Sequence, residues 1–69
     1  MKNKIKIERA IAELTQAGLA EKVQVSRQTI NAIESGKYVP STVLALKIAQ
    51  IFIKEVNDIF SLQEADWID

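Results

Sequence analysis

Residues 15–36, TQAGLAEKVQVSRQTINAIESG, have the pattern of two short helices joined by a tight turn. Thr15 is a suitable cap for the first helix. Leu19, Ala20 and Val23 follow at helical spacing and form a narrow apolar stripe. The cap and the stripe together predict a short helix that buries one side.

The second helix begins after a turn at Gln24-Val25. Ser26 is its predicted N-cap, and Val25 and Ile30 occupy the two positions of a hydrophobic staple. Such a staple fixes the angle between the two helices. Gly36 is well placed to end the second helix in a left-handed C-cap.

The two sides of the second helix differ in chemistry. Ile30 and Ile33 project to one side. The opposite side carries small and hydrogen-bonding residues, namely Arg27, Gln28, Asn31, Ala32 and Ser35. In the major groove Arg pairs with guanine, and Gln or Asn pairs with adenine. An ordinary amphipathic surface helix also explains these five residues, but the helix, turn and second helix together favour DNA binding.

Further short motifs extend this pattern along the chain. In order they are TQ at 15–16, LAEKV at 19–23, VSRQTI at 25–30, IE at 33–34, GK at 36–37, Tyr38, Pro40-Ser41, LALKIA at 44–49 and DIF at 58–60. The run resembles the Cro/phage-repressor type of helix-turn-helix, the XRE family. It is similar to the small stand-alone bacterial regulators that resemble the cytolysin repressor. The resemblance covers about residues 4–62.

The resemblance implies a fold and a partner. The fold is an all-α, compact, five-helix, lambda-repressor-like domain over residues 1–69, with the helix-turn-helix at about 16–35. Such domains bind double-stranded operator DNA, usually as homodimers, with the second helix of the pair in the major groove. By this resemblance we call that helix the recognition helix and expect a transcriptional regulator, most simply a repressor.

The resemblance also implies roles for individual residues. The family's base-reading positions fall on Arg27, Gln28 and Asn31. The matching Gln of the family reaches a DNA phosphate, and Gln16 lies at a helix N-terminus, which favours an anion. Phosphate or mixed contacts are expected from Gln16, Thr29, Ser35, Lys37 and Tyr38.

Lys37 and Tyr38 follow the recognition helix directly. A cation and a phenol at that point suit contacts to the sugar–phosphate backbone. Tyr38 has a second interpretation, in which its ring packs over Pro40 or the edge of the core. The residue types alone leave both interpretations open.

Composition argues against several other functions. The chain has no Cys and no His, so a disulfide framework, a thiolate metal site and a His general base are all missing. The basic N-terminus has no apolar signal region, and no apolar run approaches the length of a membrane span. No Gly-rich phosphate loop is present. We therefore expect a cytoplasmic protein that is not an enzyme, with no cofactor, metal or small-molecule ligand.

Charge is divided unevenly along a chain whose net charge is zero. Residues 1–38 hold seven Lys or Arg and four Glu, a net charge of +3, and residues 39–69 have a net charge of −3. A chain divided in this way can present its basic half to phosphates while the acidic tail, about residues 61–69, faces away. The terminal charges are equally consistent with a role in solubility.

Lysine and isoleucine alternate in the sequence KIKI near the N-terminus. This alternation suits a short strand as well as a helix start. In the cytolysin-repressor subgroup the N-terminal residues form a strand beside the C-terminal segment, so by resemblance we expect Ile5–Ile7 to pair with Ile59–Leu62. A first helix is expected from about Glu8, with Ile11 and Leu14 facing inward.

Three residues depart from the family pattern. Gly18 replaces a Glu that would complete a capping box with Thr15. Gln24 replaces a turn glycine that takes a left-handed conformation, which costs about 1–2 kcal/mol for other residues. Ile53 replaces a glycine that commonly ends the fourth helix. None of these changes falls on the expected DNA-facing side chains.

The C-terminal half predicts the core and a second apolar side. Ser41 caps a fourth helix with a wide apolar face, namely Leu44, Ala45, Ile48, Ala49, Ile51 and Phe52, and a short last helix buries Val56, Ile59 and Phe60. Val43, Leu46 and Ile53 lie on the other side of the fourth helix, so the terminal strands or a second subunit should cover them. Trp67 in the tail is expected to cover the core or join an interface.

A protein-binding role on the same scaffold is the alternative function. An antitoxin that neutralises a toxin, or an adaptor, would use a similar domain, and antitoxins of this family also bind their own operator. A pure adaptor would have no affinity for DNA at low salt.

Overall fold

A computed structural model describes residues 1–68, and Asp69, the last residue of the predicted acidic tail, lies outside the described residues. The elements are β1 (Lys2–Asn3), α1 (Ile5–Ala12), α2 (Gln16–Val23), α3 (Arg27–Glu34), α4 (Thr42–Ile51), α5 (Val56–Ile59), β2 (Phe60–Ser61) and a 3₁₀ turn (Glu64–Trp67). The two strands pair antiparallel, with Lys2 opposite Ser61 and Asn3 opposite Phe60. The predicted five-helix fold with paired terminal segments is confirmed.

The core lies between α2, α3 and α4 and is closed by α1 and α5. Its members are the apolar residues Ile5, Leu19, Ala20, Val23, Ile30, Ile33, Leu44, Ala45, Ile48, Ala49, Phe52, Ile59 and Phe60. Most of them are residues whose helical spacing predicted burial. Because the paired helices α2 and α3 each contribute an apolar stripe to this core, the polar side of α3 is left facing outward.

Side-chain caps set where three helices begin. Thr15 Oγ1 accepts a hydrogen bond from the Gly18 N–H at 2.9 Å, and Ser26 Oγ accepts one from the Thr29 N–H at 3.1 Å. Ser41 caps α4 in the same way. Each cap satisfies a backbone donor that would otherwise lack a partner at the helix start and contributes about 1 kcal/mol. The three predicted caps are confirmed.

Gly36 ends α3 as the sequence predicts. Its φ is +80°, in the left-handed region. The Gly36 N–H donates to the Ile33 carbonyl at 3.1 Å, and the Lys37 N–H donates to the Ala32 carbonyl at 2.9 Å. This pair of hydrogen bonds is the Schellman arrangement, which turns the chain sharply away from the helix axis.

The predicted start and orientation of α1 are wrong. The helix begins at Ile5 rather than near Glu8, so Ile5 and Ile7 point to opposite sides instead of sharing a face. Ile5 is fully buried, whereas Ile7 is 58% and Ile11 71% exposed. Of the two residues predicted to face inward, only Leu14 packs against the core. The alternating KIKI pattern was too short to distinguish a strand from a helix.

The terminal strand is also displaced from its predicted position. Lys2–Asn3, not Ile5–Ile7, pairs with the C-terminal segment, and its partner Phe60–Ser61 lies inside the predicted range. The Asn3 side chain explains the boundary, because its Oδ1 accepts a hydrogen bond from the Ile5 N–H at 3.2 Å. That contact satisfies a donor at the start of α1, so the chain changes from strand to helix there.

The departures from the family pattern have different structural effects. Gly18 occupies a tight position, since a Cβ there would lie 3.1 Å from Thr15 Oγ1. The hydrogen bond from the Gly18 N–H to Thr15 Oγ1 supplies one half of a capping box, and the other half, which needs a Glu side chain, is missing. Gln24 takes the left-handed conformation, with φ of 62°, that the family gives to glycine. Ile53 does the same, with φ of 55°. The last two positions carry backbone strain.

Replacing Gln24 by Gly is expected to stabilise the fold by about 0.5–1 kcal/mol, because relief of left-handed strain exceeds the added entropy of the unfolded chain. The expected rise in Tm is about 4 °C for a domain of this size. Thermal unfolding followed by circular dichroism measures it. Ala17→Gly, at an exposed position within α2, is the matched control and should lower stability by about 1 kcal/mol.

One side of α4 and the tail stay uncovered. Val43 is 63%, Leu46 54% and Ile53 91% exposed, so the terminal strands do not cover them. Trp67 is 77% exposed, and the expectation that it covers the core of its own chain is wrong. Within residues 1–68, none of the helices has the length and apolar character to cross a membrane.

Candidate nucleic-acid interface

The polar side of α3 forms an open surface. Arg27, Gln28, Asn31 and Ser35 are all exposed. On the opposite side Ile30 is 0% and Ile33 1% exposed. The two predicted sides of the helix are therefore confirmed, and the side chains expected to read bases are exposed to solvent.

An ion pair between α1 and α3 holds the far end of α3. Arg9 Nε lies 2.6 Å from Glu34 Oε2, and Arg9 Nη2 lies 3.0 Å from Glu34 Oε1. The guanidinium also donates to the Leu14 carbonyl at 3.0 Å. The Arg9 side chain is 15% and the Glu34 side chain 8% exposed. This two-point geometry allows little rotation of one helix relative to the other.

The ionisation of Glu34 reflects two opposing influences. Burial disfavours the carboxylate and acts to raise its pKa. Hydrogen bonds from Arg9 and Gln16, with the charges of Arg9 and Lys6, outweigh burial, so the pKa of Glu34 lies below its ordinary value. Glu34 is therefore a carboxylate in the folded protein at neutral pH.

Gln16 links the start of α2 to α3. Its Nε2 donates to Asn31 Oδ1 and to Glu34 Oε1, both at 3.2 Å. An amide nitrogen carries two hydrogens, and these two contacts use both. The Gln16 side chain thus orients Asn31, and a phosphate at this helix start would meet the backbone N–H groups or a reoriented amide.

Asn3 contacts the C-terminal end of α3. Its Nδ2 donates to the Ile33 carbonyl at 2.8 Å, the same carbonyl that accepts from Gly36. The terminal sheet and the recognition helix are therefore joined by a side-chain hydrogen bond. Sequence reasoning missed this role, because nothing local to Asn3 indicates a contact 30 residues away.

Two predicted contact residues use their hydroxyl groups within the fold. Thr29 Oγ1 lies 2.9 Å from Ser26 Oγ, and Ser35 Oγ donates to the Ala32 carbonyl at 3.1 Å. A hydroxyl oxygen retains lone pairs after such a contact. A DNA phosphate offers only acceptors, so Ser35 would have to give up its internal contact to donate to it, whereas Thr29 can donate when Ser26 supplies the hydrogen of their shared contact.

Lys37 and Tyr38 are exposed after the turn at Gly36, and Tyr38 retains 49% of its accessible surface. Tyr38 lines a surface depression of about 370 Å³ together with Thr29 and Lys47. Lys47 comes from α4, in the half of the chain whose net charge is −3. The depression therefore adds a cation beside two of the predicted contact residues.

A second cation lies near the other end of α3. Lys2 lines a depression of about 350 Å³ with Ser35 and Gly36. Lys2 and Lys47 come from β1 and α4, so only the fold brings them near the recognition helix. No spacing in the sequence could have identified either residue as part of this surface.

The division of charge along the chain does not correspond to two separate faces. The Met1 ammonium lies 3.1 Å from an Asp66 carboxylate oxygen, so the basic N-terminus and the acidic tail are neighbours. Asp66 also accepts from the Gln63 N–H, and these contacts hold its pKa below the ordinary value. The attraction of an anionic ligand to α3 therefore depends on the nearby Lys2 and Lys47 rather than on the net charge of residues 1–38 or 39–69.

Comparison with known proteins agrees with this geometry. A helix-turn-helix family model matches residues 5–59. Three similar proteins are uncharacterized HTH-type transcriptional regulators. The one from Methanocaldococcus jannaschii is 56% identical and the one from Bacillus subtilis, YgzD, is 52% identical, and each alignment covers 93% of this chain and 97% of the relative. The one from Archaeoglobus fulgidus is 46% identical over 96% of this chain and 93% of the relative. The matched region contains α1 to α5, including the ion pair and the whole polar side of α3. The chain belongs to the Cro/C1-type (XRE) helix-turn-helix family of DNA-binding transcriptional regulators.

Proposed function

We propose that this protein is a cytoplasmic repressor that binds a near-palindromic operator as a homodimer and acts without catalysis. The observation that carries the proposal is the exposed side of α3, where Arg27, Gln28 and Asn31 project from a helix fixed to the core. In proteins of this architecture the N-terminal residues of the second helix contact base edges. Arg27 and Gln28 are the first two residues of α3.

The three base-reading roles follow from hydrogen-bonding chemistry. Arg27 carries a planar fork of donors that matches the O6 and N7 acceptors of guanine, and Gln28 can donate to N7 and accept from N6 of adenine. Asn31 has the same capacity, since the Oδ1 that accepts from Gln16 retains a second lone pair. In the free protein Gln16 thereby holds Asn31 in one orientation, and a Gln16 amide that turned towards a phosphate would release it.

The surrounding residues would position the helix on the backbone. We assign phosphate or mixed contacts to Gln16, Thr29, Ser35, Lys37 and Tyr38, and we add Lys2 and Lys47, which flank α3 in the fold. Such contacts set register and orientation but do not distinguish sequences. Repression follows physically when the bound protein occupies DNA that the transcription machinery needs.

Selection of bound duplexes from a randomised DNA pool tests this function. We expect an inverted repeat whose half-sites lie about 10–10.5 base pairs apart, centre to centre, because two recognition helices related by a two-fold axis enter successive major grooves. Direct repeats or single half-sites would contradict the homodimer. Absence of any enrichment at low salt would contradict DNA recognition itself.

Lys37→Ala is expected to weaken binding to cognate and scrambled duplexes alike and to reduce the slope of log K against log[salt] by about one unit. The physical reason is the loss of one phosphate contact and its released counterion. Anisotropy titrations at several salt concentrations measure the slope. Lys37→Arg keeps the charge and should keep the slope. A sequence-dependent loss in Lys37→Ala would contradict a phosphate role.

A further inference from the structure

Helix α1 carries an uncovered apolar strip on its outer side. Ile7 is 58% and Ile11 71% exposed, and the small side chain of Ala10 is exposed beside them. Residues three and four apart are neighbours on a helix surface, so these three residues form one continuous patch. We call Ile7, Ala10 and Ile11 the α1 face. Ile5, which is 0% exposed, lies on the opposite side and anchors the helix to the core.

The charges of α1 are arranged the other way round from those of an ordinary surface helix. Glu8 and Arg9 are turned inward, where Glu8 Oε2 lies 3.8 Å from Lys54 Nζ and Arg9 pairs with Glu34. Surface helices normally bury their apolar residues and expose their charges. A single exposed isoleucine needs no explanation, but two adjacent ones on a helix that turns two charges inward indicate a surface that meets a partner.

Opposite charges flank the α1 face at its two ends. Lys6 lies in the first turn of α1 and Glu13 is the C-cap, and both side chains are exposed. Seven residues make about two helical turns, so Lys6 and Glu13 lie on the same flank of the helix. Neither of them belongs to the ion pairs that the described residues form among themselves. Each is therefore available to a charge outside the chain.

These positions are complementary to a second copy of α1 that runs antiparallel. In a two-fold contact each residue meets a residue at the same distance beyond the axis on the other copy. Ile7 and Ile11 are centred on residue 9, and Lys6 and Glu13 are centred midway between residues 9 and 10. The two centres differ by about 1 Å along the helix, because each residue rises about 1.5 Å. One axis therefore places Ile7 against Ile11, and Lys6 against Glu13, of the other copy.

Shape and charge favour a second copy over another kind of partner. A uniformly acidic segment would meet repulsion at Glu13, and a uniformly basic one would meet it at Lys6. The small Ala10 lies near the axis, where it lets the two helix backbones approach closely. Arg9 contacts α3 from the other side of α1, so a copy on the α1 face does not cover the recognition helix.

We propose that the α1 face is a contact between two copies of this chain, with α1 packed antiparallel against α1 of the other copy. Ile7 then packs on Ile11 across the axis, and an ion pair between Lys6 and Glu13 forms at each end. The contact is separate from the pairing of two copies on an operator and forms without DNA. Two short helices make a small interface, so the association is weak and depends on a high concentration of the chain.

Disulfide cross-linking of the full chain without DNA tests this geometry, since the wild type has no Cys. Ile7→Cys and Ile11→Cys chains are oxidised separately and as an equal mixture, and intact mass spectrometry counts the covalent dimers. Only facing positions meet the Cβ separation of about 3.5–4.5 Å that a disulfide needs. The mixed dimer should therefore far exceed the half that random collision gives. Ala17→Cys, at an exposed position on α2, should give only the random proportion when mixed with Ile11→Cys.

Charge exchange tests the flanking ion pairs in the same cysteine variants. Lys6→Glu or Glu13→Lys places like charges together at both ends and should lower the initial yield of mixed dimer about 5-fold. Combining the two substitutions restores opposite charges and should recover the yield. Ala10→Glu puts two carboxylates near the axis and should lower the yield at least about 10-fold, whereas Ala17→Glu, the matched change on α2, should leave it intact. Circular dichroism verifies that each variant is folded.

Two results would overturn this contact. One is a mixed dimer at the random proportion, as expected if a different protein covers the α1 face. The other is a double charge variant that cross-links no better than Lys6→Glu or Glu13→Lys alone. Because the measurements contain no DNA, neither result depends on whether the chain binds an operator.

Discussion

Arg9→Met is expected to destabilise the folded chain by about 2–3 kcal/mol, because removing one partner of a largely buried ion pair leaves the other charge uncompensated. Glu34 would lose both guanidinium hydrogen bonds while its side chain stays 8% exposed. A domain of 69 residues has a total stability of about 3.5–10 kcal/mol, so the variant would approach the limit of folding. Urea unfolding at fixed protein concentration measures the change.

The double variant Arg9→Met, Glu34→Leu distinguishes a missing charge partner from lost packing. Apolar replacement of a whole buried pair is often neutral or stabilising, so the double variant should recover most of the lost stability. Lys54→Gln is the control for the loss of an exposed ion pair, because Lys54 Nζ lies 3.8 Å from Glu8 Oε2 and the Lys54 side chain is 47% exposed. Its effect should stay below about 1 kcal/mol. An equally large loss in the double variant would contradict an electrostatic origin.

The same variants predict how stability depends on pH. The pKa of Glu34 is lower in the folded protein than its ordinary value of about 4.3, so its contribution is fully present above that value. The contribution is lost as the pH falls through the lowered value, since the unfolded chain then binds the proton more readily. Between about pH 6 and pH 3 the wild type should therefore lose more stability than the double variant, which has no carboxylate at residue 34.

Arg27→Ala is expected to weaken binding to the cognate duplex by about 1–3 kcal/mol and to relax selectivity at a single G·C position. Arg27 is exposed at the first turn of α3, where it can approach a guanine with two parallel hydrogen bonds. Scrambled duplexes should lose much less affinity, because they offer no guanine at that place. Anisotropy titrations against the selected site and its single-base variants measure both effects.

Arg27→Lys is the matched variant for this prediction. It keeps the positive charge but not the planar fork, so it should keep the salt dependence of binding and weaken the preference for G·C. If Arg27 contacted a phosphate instead of a base, Arg27→Ala and Arg27→Lys would both keep the preference for G·C. Equal, sequence-independent losses in Arg27→Ala and Lys37→Ala would therefore contradict the base-reading role.

Local features of the sequence predicted the parts of the fold that local contacts determine. The caps at Thr15, Ser26 and Ser41 each act within three residues, and Gly36 supplies a conformation that few other residues adopt. The burial of Ile30 follows from helical spacing alone. These features were sufficient to predict α2, α3, the turn between them and the start of α4.

Features that depend on distant contacts were not predictable in the same way. Burial of Glu8 and the pairing of Arg9 with Glu34 fix α1, and neither is visible in a four-residue alternation of Lys and Ile. The contact of Asn3 with Ile33 and the positions of Lys2 and Lys47 beside α3 likewise need the folded chain. Long-range polar partners are chosen by geometry, which a single sequence does not display.

The Asn3 contact has a consequence for the order in which the structure comes apart. The terminal strands contain two residues each, so hydrogen exchange should show them opening far more often than the core does. Each opening would remove the Asn3 hydrogen bond to the Ile33 carbonyl and leave the final turn of α3 with one tether fewer. We therefore expect fraying of the chain ends to be coupled to fraying of the last turn of α3, long before global unfolding.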